Sequence, residues 1–497
     1  MRVIVVGAGL GGLSAACHLV GAGHEVVVLE RADVPGGRAG VWEPQTAAGA
    51  FHIDTGPSVL TMTGILASVF AAAGADMADH LRLHPVDPMY RATFPEALGG
   101  ALQVRHGRDA MREEIRTECG ASEAEAFDRF CHWLTELTDV VMPHFINRNF
   151  DGLLSITKPL APAIQLLRLG GFGRLAKKVD AYFADPRLRQ LFSFQSLYAG
   201  LSPYDALAVY SVITYMDTVE GVYFPEGGIH RVAVALADVI ELAGGTIEYG
   251  VTVERVLRRS GTNGPVTGVR LDTGETMRAD AVVLNPDLPV AYRTLLPELT
   301  APRVVRKGEY SPSCALWLGA VKGAAPADAA HHNIHFGEYT SAFDALIRDG
   351  VVQPDPSILV TLQAHSDRSL APDGHEVIYA LEPTPNLDGR VDWHHQREPL
   401  KERLLARLAS HGYPVQEVLA EAFWDPTDWE RMGMERGAPF ALSHRFLQTG
   451  PFRANNVVKG VPGLVFVGSG TVPGVGVPMV LLSGRLAAER VEQGFIR

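Results

Sequence analysis

The sequence predicts an α/β protein, α+β when the whole chain is counted, whose main sheet is assembled from segments far apart in the chain. The first observation is that residues 1–30 follow the order strand, glycine-rich turn, helix, strand. The second is that short β-branched runs return in the middle and near the end of the 497 residues, with largely helical sequence between them. Together they predict one discontinuous sheet domain and not a row of independent domains.

The elements follow from local patterns. Residues 3–6 and 25–29 are short β-branched runs that flank a helix at 13–21, and apolar residues at 3–4 spacing predict a helix over 123–141. Turn residues separate the remaining predicted strands, at 245–247, 251–256, 266–271, 281–284, 311–321, 358–365 and 464–467. Asp272-Thr273-Gly274 predicts a hairpin turn between two of them. Helices are predicted at 400–410 and 481–491.

Composition and charge exclude several classes of protein. Hydrophobic residues make up 47% and charged residues 20% of the chain, which is typical of a globular protein with a large core. The net charge of −12 argues against a general nucleic-acid surface, so no nucleic-acid partner is expected. The four cysteines form no CxxC pair, and the histidines and acids show no ligand spacing, so no metal site is expected.

The first glycine-rich turn predicts a dinucleotide site. Gly7, Gly9, Gly11 and Gly12 follow the first strand and open the first helix. In such a motif the first glycine permits the tight turn, the second lets the backbone approach a pyrophosphate, and the third lets helix and strand pack closely. Glu30 ends the second strand, where an acid accepts hydrogen bonds from a ribose and repels a 2′-phosphate. The arrangement is Rossmann-like and disfavours NADP.

Three further motifs extend this site. Gly36-Gly37-Arg38 follows Glu30-Arg31, and an arginine in such a turn balances phosphate charge. Asp54-Thr55-Gly56-Pro57 comes next. Residues 468–478 (GSGTVPGVGVP) form a second glycine-rich strand-to-helix turn, whose N–H donors suit the carbonyl edge of a flavin.

Taken together, these motifs resemble the bacterial-type phytoene desaturases in their actinobacterial form, a branch of the FAD-dependent oxidoreductase and amine oxidase superfamily. The resemblance covers essentially the whole chain. It rests on GAGLGGLSAACHL with VVVLERADVPGGRAG, on FHIDTGPS and YFPEGG, on residues 193–223, and on FVGSGTVPGVGVPMVLLSG near the end. One residue departs from the pattern: the family usually has His between Thr471 and Pro473, where this chain has Val472.

The resemblance implies FAD as the cofactor and assigns its site. It implies FAD contacts for the residues of the four motifs: Gly7, Gly9, Gly11, Gly12, Glu30, Arg31, Gly37, Arg38, Thr55, Gly56, Gly468, Gly470, Gly476 and Val477. The backbone of Val253 would bond the adenine. The implied domains are an FAD-binding domain (1–85, 222–290 and 455–497), a mixed-sheet substrate domain (86–135 and 291–454) and a helical, membrane-facing portion (136–221).

The implied reaction is the removal of two hydrogens from phytoene in carotenoid biosynthesis, with hydride transfer from an allylic C–H to flavin N5 and loss of a proton. Quinone or oxygen would accept the electrons. Arg148 and Asp151, at the start of an apolar stretch, are candidates for catalytic polar groups at the tunnel, or else solvated loop charges. The oligomeric state stays open.

The stretch 152–178 is apolar, and its charges after Asp151 are all positive. Such a segment can lie in an anionic membrane surface, or it can cover the protein's own core. The resemblance favours the membrane, because phytoene dissolves only in lipid. We therefore expect a cytoplasmic protein attached peripherally to the inner face of the cell membrane.

Other functions on the same fold stay open. The substrate could be another carotenoid or polyene, or the reaction could be a non-redox isomerisation. A flavin amine oxidase is disfavoured because such sites commonly place aromatics beside the flavin, whereas the last motif offers Val472, Val475 and Val477. A prenyl-binding protein without redox chemistry could dispense with the two glycine-rich turns, and both are present here.

Overall fold

The structure is a computed structural model that describes residues 1–150, 160–259 and 264–494. Its strands are β1 (Arg2–Val6), β2 (Glu25–Leu29), β3 (Val41–Trp42), β4 (Gln45–Thr46), β5 (Gly49–Ala50), β6 (Ile53–Asp54), β7 (Leu83–Pro85), β8 (Tyr90–Thr93), β9 (Ala101–Val104), β10 (Tyr223–Pro225), β11 (Thr246–Glu248), β12 (Val253–Arg258), β13 (Val266–Leu271), β14 (Thr276–Arg278), β15 (Ala281–Leu284), β16 (Ser313–Lys322), β17 (His332–His335), β18 (Ile358–Leu362), β19 (His375–Thr384), β20 (Val418–Trp424) and β21 (Leu464–Phe466).

The helices are α1 (Leu10–Gly21), α2 (Thr63–Ala72), α3 (Arg108–Glu118), α4 (Ala121–Val141), α5 (Leu160–Arg168), α6 (Leu175–Asp180), α7 (Pro186–Leu191), α8 (Val212–Tyr215), α9 (His230–Leu242), α10 (Leu288–Val290), α11 (Arg303–Lys307), α12 (Tyr339–Phe343), α13 (Gln363–Ser366), α14 (Trp393–Ser410), α15 (Pro426–Arg431) and α16 (Val477–Glu492). Short 3₁₀ and π turns connect several of them.

A five-stranded parallel sheet carries the dinucleotide motif. Its strand order is β11-β2-β1-β15-β21, so strands from the start, middle and end of the chain lie side by side. Both faces are buried: Val3 and Val5 pack towards α1, α9 and α16, whereas Ile4 and Val6 pack towards β12–β14. A parallel sheet covered on both faces needs such continuous apolar strands.

A second, mixed sheet of seven strands has the order β20-β16-β19-β18-β17-β8-β9. All of its neighbouring pairs are antiparallel except β17 with β8. Helix α14 covers one face of this sheet through Leu400, Leu404 and Leu408. The discontinuous α/β fold with a mixed second sheet is therefore as predicted. The domain boundaries themselves stay predictions.

Most predicted elements are confirmed, and three differ. The turn 272–274 joins β13 to the three-residue β14, which has no apolar alternation in its sequence, and not to β15. The strand predicted over 358–365 ends at Leu362, because the Gln363 side chain turns away to bond the backbone of Asp54. Helix α14 begins at Trp393, with Asp392 as its N-cap and Pro399 in its interior.

Candidate functional site

The turn between β1 and α1 leaves the first helix open at its N-terminus. Gly7 adopts a φ of +99°, and a Cβ on Gly12 would lie 2.1 Å from the carbonyl oxygen of Gly7. Gly9 is the N-cap and has no side chain of its own to cap the helix, and the first turn contains no acid. The positive end of the helix dipole therefore faces outwards, as a phosphate requires.

Glu30 is a buried carboxylate with fixed orientation. Its two oxygens accept hydrogen bonds from the amides of Ala8 (2.6 Å) and Ala32 (2.9 Å), on either side of the β2 end. The backbone carbonyl of Glu30 accepts from the amide of Val251, two residues before Val253. The predicted adenine-binding strand thus starts beside the predicted ribose-binding acid.

The turn of residues 36–40 lies on the first glycine-rich turn. The Gly36 amide donates to the carbonyl of Ala8 (2.8 Å), and a Cβ on Gly37 would lie 3.3 Å from the Cα of Gly9. A Cβ on Gly56 would lie 1.8 Å from the carbonyl oxygen of Arg38. The predicted Gly-Gly-Arg turn and the Thr55-Gly56 loop are therefore packed together without room for larger residues.

Asp54 holds this loop in place. Its carboxyl accepts from the amides of Ile229 (2.7 Å) and His230 (3.0 Å) at the start of α9. Burial raises the pKa of Asp54 to about 7, and the two amide donors act in the opposite direction. The loop is thus tied to the helix that follows the YFPEGG motif.

The second glycine-rich turn lies against the first. A Cβ on Gly11 would lie 3.2 Å from the Cα of Gly468, and Arg38 donates to the Ser469 hydroxyl over 2.6 Å. Gly476, with a φ of +110°, is the N-cap of α16, which also lacks a side-chain cap and an acid in its first turn. Two open helix N-termini therefore serve one cleft at the carboxyl ends of β1, β15 and β21, where ligands bind in such sheets.

Two residues of this cleft were missed by the sequence reasoning. Asn285 follows β15, and its side-chain oxygen accepts from the amide of Gly12 (2.7 Å). Arg453 is buried, and its guanidinium donates to four carbonyl groups, those of Leu442, Gln448, Ser469 and Thr471. The position of Asn285 at a strand's carboxyl end was a usable signal, whereas nothing local marks Arg453.

An imidazole lies at the final turn even though Val472 replaces the family's usual histidine. A Cβ on Gly474 would lie 2.2 Å from Cε1 of His444, and the Val475 amide lies 3.5 Å from its Nε2. Burial lowers the pKa of His444, so the ring is neutral at pH 7. This residue comes from a loop 31 positions away in sequence, which is why the motif did not reveal it.

Three further predicted site residues are Arg31, Arg148 and Asp151. Arg31 donates to the carbonyl of Met432 (2.9 Å) at an exposed position. Arg148 lies over the ring of Phe150, with its guanidinium carbon 5.3 Å from the ring centre. Its neighbour Asn149 bonds the carbonyl of Leu486, well along α16. Asp151 and residues 152–159 lie outside the described residues.

The cleft fits a dinucleotide such as FAD. Several glycines line it where a Cβ would strike backbone, two open helix N-termini supply donors for anionic groups, and Glu30 supplies the acceptor for a ribose. Among the residues that the structure describes, no cluster of three or more His, Cys, Asp or Glu could hold a metal ion.

We infer an internal space beside the cleft. The side chain of Tyr198 has 44% of its surface accessible, yet burial raises the pKa of its phenol. Tyr379 has both Asp54 and Tyr198 as electrostatic neighbours. Met62 and Met216 pack together, with Met479 of α16 against them. The inferred space therefore lies between residues 194–217 and the two glycine-rich turns.

The chain is similar to known proteins both in sequence and in fold. Over residues 10–492 the chain matches the family described as flavin containing amine oxidoreductase. A phytoene dehydrogenase of Streptomyces griseus is 45% identical over 496 residues, covering 99% of this chain and 95% of that protein. A zeta-carotene-forming phytoene desaturase of Myxococcus xanthus is 34% identical over 500 residues, covering 99% and 93%. A solved oxidoreductase from Methanosarcina mazei has a TM-score of 0.62 at 18% identity, over 99% of this chain and 100% of that one, and thus shows the fold.

Proposed function

The chain belongs to the flavin containing amine oxidoreductase family, and we propose that it is an FAD-dependent desaturase of phytoene. The observation that carries this proposal is the 45% identity to a phytoene dehydrogenase along practically the full length of both proteins. The intact pair of glycine-rich turns supports it, because a binding protein without redox chemistry has no need for an open helix N-terminus at the flavin end.

The residues of the cleft would hold FAD. The α1 N-terminus would receive the pyrophosphate, the Glu30 carboxylate the ribose, and the α16 N-terminus would supply donors at the flavin end. When bound, FAD supplies the two-electron oxidation. The protein's own contribution is to fix the cofactor, to orient the hydrocarbon and to exclude water from the reacting bond.

The internal space suits an apolar substrate that reacts beside the cofactor. Aromatic rings line its edge, where Phe194 packs edge-on against both Tyr90 and Tyr198. Methionines at 62, 216 and 479 pack where it meets the cofactor turns. A polyene offers no hydrogen-bonding group, so such apolar walls are the means by which it is oriented.

Product analysis tests the function. The purified protein is loaded with FAD, incubated with phytoene in liposomes and a quinone, and the products are separated by chromatography. We expect products with longer conjugation, whose distribution counts the desaturation steps. Unchanged phytoene in the presence of bound FAD would contradict the substrate, and a rearranged product without added conjugation would point to an isomerase.

We also propose that helix α5 touches the membrane from which phytoene is drawn. Leu160, Ile164 and Leu167 follow one another at helical spacing and are exposed by 67%, 46% and 64%, whereas Leu166 packs inwards. Arg168 and Arg174 are exposed nearby. An exposed apolar stripe flanked by arginines suits an anionic lipid surface. Within the described ranges, no helix is long and apolar enough to span a bilayer.

Vesicle binding tests this surface. Replacing both Leu160→Asp and Leu167→Asp is expected to lower the fraction that sediments with anionic vesicles at least about tenfold, since each leucine contributes roughly 1.5–3 kcal/mol when buried in an apolar phase. Leu242→Asp is the matched control, because Leu242 is 77% exposed at the end of α9. Equal sedimentation of the double variant and the wild type would contradict the proposal.

A further inference from the structure

The Asp217 carboxyl group lies in the internal space. A hydrocarbon substrate has no polar group that this carboxyl could bind. Asp217 belongs to a single π turn, Met216–Glu220, inserted directly after α8. No ion pair among the described residues engages this carboxyl, and its side chain is only partly covered. Inserted π turns often mark functional positions, because they aim one residue out of the regular helix.

The surroundings of Asp217 are polar but poorly paired. The Tyr90 phenol from β8 and the Tyr198 phenol from the turn 194–199 are its titratable neighbours. Gln195 is close enough to favour the ionised carboxylate, yet its amide nitrogen has no hydrogen-bond partner of normal length in the described part of the chain. The hydroxyl of Tyr90 is likewise buried without a partner there.

The segment that carries Asp217 is tied to the chain after the Thr55-Gly56 loop and packs beside the second glycine-rich turn. Leu60 and Tyr223 exchange two backbone hydrogen bonds of 2.8 Å, which joins the chain after Asp217 to the chain after the Thr55-Gly56 loop. Met216, the preceding residue, packs in the group that contacts Met479, two residues after Val477. Asp217 therefore lies on the side of the internal space that adjoins the cofactor cleft.

We propose that the Asp217 carboxylate is the proton acceptor of the desaturation, an inference that rests on the proposed function. FAD held in the cleft would accept hydrogen with its electron pair from one substrate carbon. In the same step the C–H bond of the neighbouring carbon breaks, its electron pair forms the new double bond, and the proton passes to an oxygen of Asp217. The carboxylic acid so formed returns its proton to solvent, and a quinone or oxygen reoxidises the cofactor.

The protonation behaviour of the group is consistent with this role. Burial raises the pKa of Asp217 to about 7, with its own amide and Gln195 acting in the opposite direction. A base with a pKa near the working pH combines a large ionised fraction with good proton affinity. The ionised fraction rises with pH, so we expect the rate of flavin reduction by substrate to increase up to pH 7 and then level off.

Anaerobic single-turnover kinetics test the proposal. FAD-loaded protein is mixed with phytoene liposomes, and the loss of oxidised flavin absorbance is followed from pH 5.5 to 8.5. For Asp217→Asn we expect a fall of at least about 100-fold and a flat pH profile, since positioned proton transfer contributes about 10²–10⁴-fold. Asp217→Glu should restore part of the rate with the pH dependence retained.

The matched control is Glu376→Gln. Glu376 is another buried carboxyl whose pKa burial raises to about 7, and it lies at the start of β19. We expect this variant to keep the wild-type rate. FAD content and the thermal unfolding midpoint of each variant verify folding. Independently of turnover, the infrared carboxyl absorbance that titrates near pH 7 should be smaller in Asp217→Asn than in the wild type, since one of the contributing groups is removed.

Four outcomes of these experiments support or overturn the assignment of Asp217 as the proton acceptor. A slow, pH-independent Asp217→Asn with full FAD content supports the proposal. An Asp217→Asn rate within threefold of wild type, with the same pH profile, overturns it. If phytoene reduces the flavin of Asp217→Asn at the normal rate but quinone reoxidises it slowly, Asp217 acts with the electron acceptor. That result would also overturn the proposal. If wild type holds FAD and phytoene does not reduce it, the proposed function fails, and this role with it.

Discussion

At the scale of single residues, Gly12 is the most constrained position of the cofactor cleft. A Cβ there would lie 2.1 Å from the carbonyl oxygen of Gly7, so the turn must open to accept it. For Gly12→Ala we expect FAD affinity to fall at least about tenfold, because the turn then loses its approach to the pyrophosphate. Flavin content after purification and titration with FAD measure the effect.

Gly64→Ala is the control for that substitution. Gly64 lies in the first turn of α2, and nothing stands within 4 Å of a Cβ placed on it. Alanine is also the better helix former, so this variant should load FAD like wild type. Equal loading of the Gly12 and Gly64 variants would contradict the assignment of the first turn to the pyrophosphate.

The sequence revealed some site residues and hid others for a physical reason. The glycines and Glu30 lie within one 30-residue unit whose spacing is dictated by the strand, turn and helix that bind a dinucleotide. Asn285 bonds the Gly12 amide from 273 positions away, and His444 reaches the last turn from a separate loop. Such contacts depend on tertiary packing, which no local pattern records.

At the scale of elements, the second glycine-rich turn depends on Arg453. The buried guanidinium bonds the carbonyls of Ser469 and Thr471 inside the turn and those of Leu442 and Gln448 outside it. Arg453→Met keeps much of the volume but removes every donor. Because a buried unpaired polar group costs about 1–3 kcal/mol, we expect the free energy of unfolding to fall by at least about 3 kcal/mol.

Denaturant unfolding of the FAD-loaded protein measures this loss. Arg348→Met is the control, since Arg348 is 71% exposed and its side chain pairs with Asp344 one turn earlier. We expect that control to change stability by less than about 0.5 kcal/mol. A similar small change for Arg453→Met would show that the turn holds its shape without the arginine.

The predicted bounds of strands and helices are correct where apolar periodicity defines the element and wrong where side-chain contacts redirect the chain. Strands β2, β13 and β15 have the predicted bounds, because at least half of the residues in each are β-branched. The three-residue β14 and the early start of α14 were missed. A proline inside a helix and a strand of Thr-Met-Arg both contradict the usual local preferences, and long-range pairing outweighs them.

At the scale of the whole molecule, buried carboxyls make stability depend on pH near neutrality. Burial raises the pKa of four carboxyl groups to about 7, those of Asp54, Asp217, Glu376 and Glu382. In the unfolded chain these groups lose their protons near pH 4, so the folded state binds more protons up to pH 7. The contribution of these four carboxyls to stability therefore falls as the pH rises through 7.

Buried histidines change the stability with pH in the opposite direction. Burial lowers the pKa of His331 to about 4 and of His335 to about 3, so these rings take up protons on unfolding below pH 6.5. Between pH 6.5 and 7.5 the unfolded rings lose most of their remaining protons, which opposes the effect of the carboxyls on stability. One carboxyl is isolated by comparison with Glu376→Gln: relative to this variant, we expect the unfolding free energy of the wild type to fall by about 0.7 kcal/mol between pH 6.5 and 7.5.

Denaturant unfolding of the FAD-loaded wild type and of Glu376→Gln across this interval measures the difference. The variant should gain stability relative to the wild type as the pH rises, because one of the four groups no longer titrates. An equal change with pH in both proteins would contradict the raised pKa of Glu376.

The central claim joins one cofactor to one substrate, and a single anaerobic turnover tests both together. FAD-loaded protein is mixed with phytoene in liposomes without any electron acceptor, and reduced flavin and new double bonds are counted in the same sample. We predict one new carbon–carbon double bond for each flavin reduced. Flavin that is bound but stays oxidised, with phytoene unchanged, would contradict the account.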